Sequence, residues 1–391
     1  MRRGTIFLVV FVVLAVAVIG VSQFLRSQPP LEITLAVNPL AEAWVRDAMT
    51  SFNAGENAVG AAARRVQVQV ISTDDPAVWQ GESRWTLANH PHAWIPASSA
   101  SVDYTAGSGG NLPFVSAADS LARTPLVWGG YASRVDALAN SDAITTNTLD
   151  WQMVAEAAAT DEGSWAALGG DANWRFLKVA FPRPDSTMSG LGALFSGAGY
   201  FNENATLTGG ATRSREFQSA FVPIINAVPN FQTLGSDIAA AAARGSSTVE
   251  IALLPESQWL LNLDGITNNE DMRFSYPAYQ FMLDFPLARW QSDTTTADEQ
   301  AAVDAVANFL LSAAQQQNAQ RFGLRPAQGE PGAPAGSATP TAAQLTQTSP
   351  LFEAALPYGI MLQPDYGQLV EAPTRSETLA LLTWFANEQQ N

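Results

Sequence analysis

Cysteine is absent from the 391 residues. That excludes disulfides, thiol chemistry and thiolate metal sites, and also the lipid-bearing cysteine of a bacterial lipoprotein. Histidine is confined to His90 and His92 in "ANHPHAW". Two imidazoles could share a metal, but no third ligand stands near and Pro91 turns the chain, so the pair reads as an exposed turn. Lysine is reduced to Lys178, and 20 basic residues face 36 acidic ones, for a net charge of −16. Such a surface excludes a nucleic-acid partner, whose binding needs many Lys and Arg to displace counterions. Also missing are a G-x-S-x-G elbow, a P-loop and H-E-x-x-H. A Ser-His-Asp triad would have to draw on that one histidine turn, and Lys178, as a base for Ser186 or Ser189, falls inside a predicted strand. No catalytic residue, cofactor or metal ligand is assigned, and the chain reads as a non-enzyme.

What is present is a chain 47% hydrophobic and only 14% charged, long enough for two domains and able to bury a sizeable core. Arg2 and Arg3 precede a chargeless stretch from Gly4 to Leu25. As a helix these residues would span about 33 Å, the thickness of a hydrocarbon core, with the arginines in the cytoplasm and the body outside. The reading is an uncleaved single-pass anchor at the cell membrane through residues 4–25, with cleavage as a secretory signal as the alternative. Either way the body is exported.

After the spacer Gln28-Pro29-Pro30, "LEITLAV" (31–37) and "RRVQVQVIST" (64–73) alternate as strands, with a helix opening at Asn38-Pro39 between them. "HAWIPASSASV" (92–102) and "TPLVWGG" (124–130) read as short strands. Further on, "DWQMVAEAAA" predicts a helix, "WRFLKVAF" a strand, "SREFQSAFVPIINAV" a helix kinked at Pro223, and "SDIAAAAARG" a helix capped by Ser236. "TVEIALLPES" (248–257) is a buried strand and residues 272–290 an extended aromatic run. "ADEQAAVDAVANFLLSAAQQQNAQRFG" (297–323) is the clearest helix, 326–350 a low-complexity loop, and "RSETLALLTWFANEQQ" a final helix. Strands alternating with helices mean an α/β fold with a largely parallel sheet, its polar loops gathered at strand C-termini.

The ordered set "HAWIPASSASV", "TPLV", "PRPDSTMSGL", "LLPESQ", "YPAYQFMLDFPLA" and "AQRFGLRP" resembles bacterial extracellular solute-binding proteins of the type II periplasmic-binding fold. It is more narrowly similar to the substrate-binding domain associated with von Willebrand factor A domain proteins. The chain departs from that pattern in having Ala278-Tyr279-Gln280 after Tyr276-Pro277, and no von Willebrand domain follows Asn391. The resemblance implies two lobes joined by two hinge crossings and closing on a ligand. Residues 1–30 would be anchor and spacer, 31–123 plus 291–391 lobe one, and 124–290 lobe two with its hinge segments. No cofactor is implied. The partners implied are a small polar solute and a permease or a von Willebrand factor A domain protein.

"FPRPDSTMSGLG" poses the sharpest question, because Ser186, Thr187, Ser189 and Gly190 crowd together where a strand hands over to a helix. A helix N-terminus offers unpaired N–H groups and partial positive charge, so these residues suit a polar or anionic ligand. Capping by Asp185 or Ser186, with glycine for close packing, is the alternative. Ser98 and Ser99 are the facing candidates from lobe one, with Asn38 a further one. Glu256 would accept from a ligand amine or hydroxyl, or balance a helix dipole; Trp94 and Tyr276 would wall the cleft or belong to the core. The leading expectation is an exported, anchored protein that captures a small polar or anionic solute by domain closure. The alternative is a surface adhesion or assembly scaffold that keeps the two lobes without capture.

Overall fold

The structure, a computed structural model, describes Phe11 and residues 29–61, 63–81, 85–106, 112–234, 237–327 and 349–389. Apart from Phe11 the expected anchor, together with Ser236 and most of the 326–350 loop, lies outside the described residues. Among the described residues no helix is long and apolar enough to cross a membrane.

Fourteen strands run along the described chain. In order they are β1 (Leu31–Val37), β2 (Ala58–Val59), β3 (Arg64–Ser72), β4 (Ala93–Ile95), β5 (Phe114–Ala118), β6 (Ala122–Tyr131) and β7 (Val179–Ala180). Then come β8 (Ile251–Pro255), β9 (Met272–Ser275), β10 (Tyr279–Gln280), β11 (Met282–Leu283), β12 (Leu287–Trp290), β13 (Arg325–Pro326) and β14 (Gln368–Leu369). They build two main sheets and hence two lobes. The first has the order β2-β3-β1-β4-β12-β5, and the second centres on β6, which pairs β8, β9, β11 and β13. The period-two pattern of β3 does what it promises: Val66, Val68 and Val70 are buried while Arg65, Gln67 and Gln69 face water. Helix Pro39–Ala54 lays Trp44, Val45, Ala48, Met49 and Phe52 into the core, its first turn held by Asn38 Oδ1, which accepts from the Leu40 N–H at 3.0 Å.

The sheets are mixed rather than largely parallel. Parallel pairing is confined to β1 with β3 and β4, β7 with β8, and β10 with β14. Every strand bonded to β6 runs against it, because several are return passages between the lobes. The chain crosses between the sheets from β5 to β6 and from β11 to β12, as the resemblance implied, and a third time between helix Ala313–Ala319 and β13. The C-terminal helix Arg375–Glu388, expected in lobe one, packs on lobe two: Phe385 meets Phe181 and Phe231, and Trp384 meets Phe217.

Three predicted elements come out shorter or broken. Of "WRFLKVAF" only β7 is strand, because Arg175 takes φ of 65° and the Lys178 N–H turns to the Glu250 carboxylate. The 297–323 helix breaks at Ser312, whose extended ψ of 149° separates Ala297–Leu310 from Ala313–Ala319. Helix Ile238–Ala242 is capped by Asp237, whose carboxylate accepts from Ala240.

Candidate functional site

Between the lobes lies a hollow of about 590 Å³. Lobe one lines it with Asn38, Asp74 and Ala97, at the turns that follow β1, β3 and β4. Lobe two answers with Arg183, Ser186, Thr187 and Ser189, at the turn from β7 into helix Met188–Phe201. The walls also touch: Gln80 Nε2 donates to the Asp185 carbonyl at 3.2 Å, and the Ser101 hydroxyl reaches Met188 Sδ at 3.5 Å.

The lobe-one wall is organised by a residue that sequence reasoning missed. Asp75 is fully buried and accepts from Asn38 Nδ2 at 2.7 Å, the Ala97 N–H at 2.9 Å and the Ser101 hydroxyl at 2.7 Å. One carboxylate thus ties together the turn after β1, the turn after β4 and helix Asp75–Trp79. Burial pushes its pKa up to about 7, against the pull of those hydrogen bonds. The signal present in the sequence is "STDDP", an acid just before a proline at a helix start.

In lobe two the cap is Thr187, not Asp185 or Ser186. Its hydroxyl donates to the Arg183 carbonyl at 2.8 Å and accepts from the Gly190 N–H at 3.1 Å, so it is committed to the fold. Gly190 serves packing: a Cβ there would sit 2.3 Å from the Pro182 carbonyl oxygen. Asp185 instead pairs with Arg183, accepting from Nε at 3.0 Å and from Nη2. Ser189 is buried beside Thr187 with its hydroxyl 3.4 Å from Thr187 Oγ1, and Ser186 stands exposed on the hollow.

The other candidates fall elsewhere. Ser98 and Ser99 line a separate hollow of about 810 Å³ with Asp103, Asp284 and Arg375, and the Ser99 N–H donates to Asp284 at 2.9 Å. They therefore do not share a hollow with Ser189. Glu256 is fully buried in an ion pair with Arg325, Nε to Oε2 at 2.6 Å, and accepts from the Tyr276 hydroxyl. Neither Glu256 nor Tyr276 lines either of these two hollows; the Arg325 guanidinium, 69 positions beyond Glu256 in the chain, bonds both. Trp94 is wholly buried in a cluster with Phe114, Trp85 and Trp290. The histidines are not an exposed turn: His92 Nδ1 accepts from the Thr34 N–H at 3.0 Å, and His90 stacks on Trp290 at 3.9 Å. Among the described residues no three His, Asp or Glu side chains gather to hold a metal ion.

No family model matches the sequence, and no curated protein matches it. Solved structures do. The chain is similar to the iron-bound HitA from Pseudomonas aeruginosa, at 12% identity over 91% of this chain and 99% of that one, with a TM-score of 0.55. It is similar to the periplasmic binding protein AfuA from Actinobacillus pleuropneumoniae with fructose-6-phosphate bound, at 10% identity over 92% and 98%, with a TM-score of 0.55. It is also similar to the ABC substrate-binding protein Lmo0181 from Listeria monocytogenes in complex with cycloalternan, at 13% identity over 93% and 98%, with a TM-score of 0.56. The chain has the two-lobe α/β fold of periplasmic binding proteins of type II.

Proposed function

We propose that this protein is an exported solute-binding protein that takes a small polar solute into the hollow between its lobes and closes on it. The observation that carries this reading is the hollow itself: turns from both sheets wall one space of about 590 Å³. A solute touching both walls binds the closed arrangement better than the open one and shifts the equilibrium toward it. The fold supports the reading, since iron, a sugar phosphate and an oligosaccharide accompany the three similar structures.

The lobe boundaries in this proposal differ from those expected. Residues 31–118 with 287–322 form lobe one, and 122–283 with 325–389 form lobe two. Residues 4–25 anchor the chain at the cell membrane, and a permease or a von Willebrand factor A domain protein reads the closed form. Membrane fractionation of the full chain against one lacking residues 1–28 tests the anchor. A thermal-shift screen of the protein with organic cations, sugars, amino acids and oxyanions tests capture. At least one solute should raise the melting temperature.

One observation favours the scaffold reading. The start of helix Arg375–Glu388, a lobe-two element, grips lobe one: Arg375 Nη2 donates to the Trp79 carbonyl at 3.0 Å, and the Tyr104 hydroxyl donates to the Pro373 carbonyl at 2.8 Å. A protein fixed in this way gives a blank screen.

A further inference from the structure

We propose that Asp75 and Ser101 form a pH-operated latch between the lobes, in which protonation of the Asp75 carboxylate turns the Ser101 hydroxyl toward Met188 of lobe two and favours the closed arrangement. This rests on the reading above that the lobes close on one another. It adds a control on that motion that needs no solute.

Ser101, on helix Ser99–Ala106, has two acceptors within reach and a single hydrogen to give. Its Oγ stands 2.7 Å from Asp75 Oδ2 in lobe one and 3.5 Å from Sδ of Met188, the first residue of helix Met188–Phe201 in lobe two. Asp75, Ser101 and Met188 are all buried, so the choice between acceptors is made inside the protein. An ionised carboxylate is the stronger acceptor, and with Asp75 charged the hydrogen points to it while the thioether goes without.

Protonation reverses that choice, because the added hydrogen has one place to go. The other partners of the carboxylate are donors: Asn38 Nδ2 and the N–H groups of Ala97 and Ser98. The Asn38 amide is held in that orientation, since its Oδ1 accepts from the Leu40 N–H at 3.0 Å. Only Ser101 Oγ is left to accept. A protonated Oδ2 therefore donates to Oγ, and the Ser101 hydrogen is released toward Sδ. The proton comes from solvent, the bond within lobe one is kept with its direction reversed, and one bond between the lobes is gained. Opening the lobes carries Met188 away and loses it.

Burial, which pushes the Asp75 pKa up to about 7, brings this exchange to neutral pH. The charged groups on the surrounding elements are Glu42, Asp74, Asp103, Asp284 beside Ser99, the Arg183–Asp185 pair on the facing turn, and Arg375 at the Trp79 carbonyl. Among the described residues no hydrogen bond or ion pair joins any of them to the Asp75 carboxylate.

The absence of cysteine lets two nitroxide labels report the lobe separation in the full chain, held in detergent with no solute added. Thr50→Cys and Ser219→Cys place them at exposed positions on helix Pro39–Ala54 of lobe one and helix Arg215–Asn226 of lobe two. Double electron–electron resonance should show the closed-to-open ratio rising about three- to tenfold from about pH 8.5 to about pH 5.5, the worth of one hydrogen bond. Met188→Leu keeps the packing without the sulfur and should flatten that rise. Asp75→Asn, whose amide donates to Ser101 at every pH, should hold the ratio at its acid value. A flat wild-type profile, or a rise undiminished by Met188→Leu, would overturn the latch and leave capture to the thermal screen. A blank screen beside the expected profile would remove capture and leave the latch.

Discussion

Asp75 in lobe one and Glu256 in lobe two are both wholly buried carboxylates just after a strand, yet the protein holds them in opposite ways. Asp75 is surrounded by neutral donors, the Asn38 amide, backbone N–H groups and the Ser101 hydroxyl. Glu256 faces a guanidinium: Arg325 Nε and Nη2 reach it at 2.6 and 2.8 Å. Neutral donors satisfy hydrogen bonding but leave the cost of desolvating a charge only partly offset, whereas an ion pair offsets charge with charge. The lobe-one carboxylate is thereby sensitive to protonation. Glu256 depends on its partner. That difference also explains the form of the cleft, since the Glu256 pair locks the third crossing to lobe two while Asp75 shapes the wall a solute would meet.

The comparison breaks most sharply at Arg325. Arg325→Met leaves Glu256 buried without its cation, and unfolding in urea should show a loss of about 3–5 kcal/mol. The double variant Arg325→Met with Glu256→Gln should recover much of that, and no recovery would mean the arginine acts through packing alone. Lobe one answers to pH instead. The Asp75 pKa, near 7 in the folded chain against 3.8 ordinarily, means the native state keeps a proton that the unfolded chain has released between those values. Its contribution is fully present below about pH 4 and falls by up to about 1.4 kcal/mol per pH unit as pH rises toward 7, then levels off. Stability measured from pH 4 to 8 should show that decline, and Asp75→Asn should flatten it. At the facing turn, Gly190→Ala drives a methyl into the Pro182 carbonyl and should cost about 1–3 kcal/mol, outweighing the helix-propensity gain of about 1 kcal/mol. The smallest effect is expected for Thr187→Ala, which removes one cap worth about 1 kcal/mol and should lower the melting temperature by a few degrees.

Much of the fold was legible because it is written locally. The alternation of β3 and the capped, amphipathic helix Pro39–Ala54 are set by neighbours within a few residues. Of the residues singled out in the sequence, Asn38, Ser186, Thr187 and Ser189 line one hollow, whereas the facing turn of Ser98 and Ser99 lines another. What sequence could not reveal is set by distant partners. Glu256 reads as a free acid after a strand until Arg325 arrives from the far end of the chain. Ser99 is a free donor until Asp284 claims its N–H. His92 is a surface turn until its ring completes the hydrogen bonding of β1 at Thr34.

Ser186 is exposed on the hollow, and no hydrogen bond of its hydroxyl occurs among the described residues, so Ser186→Trp fills the space with little cost to the fold. Calorimetry with a solute that stabilises the wild-type chain is therefore the most direct test. The account predicts one solute bound per wild-type chain and none to Ser186→Trp at an unchanged melting temperature of the free protein. Equal binding by both chains would contradict it, and would place the solute outside the hollow that Ser186 lines.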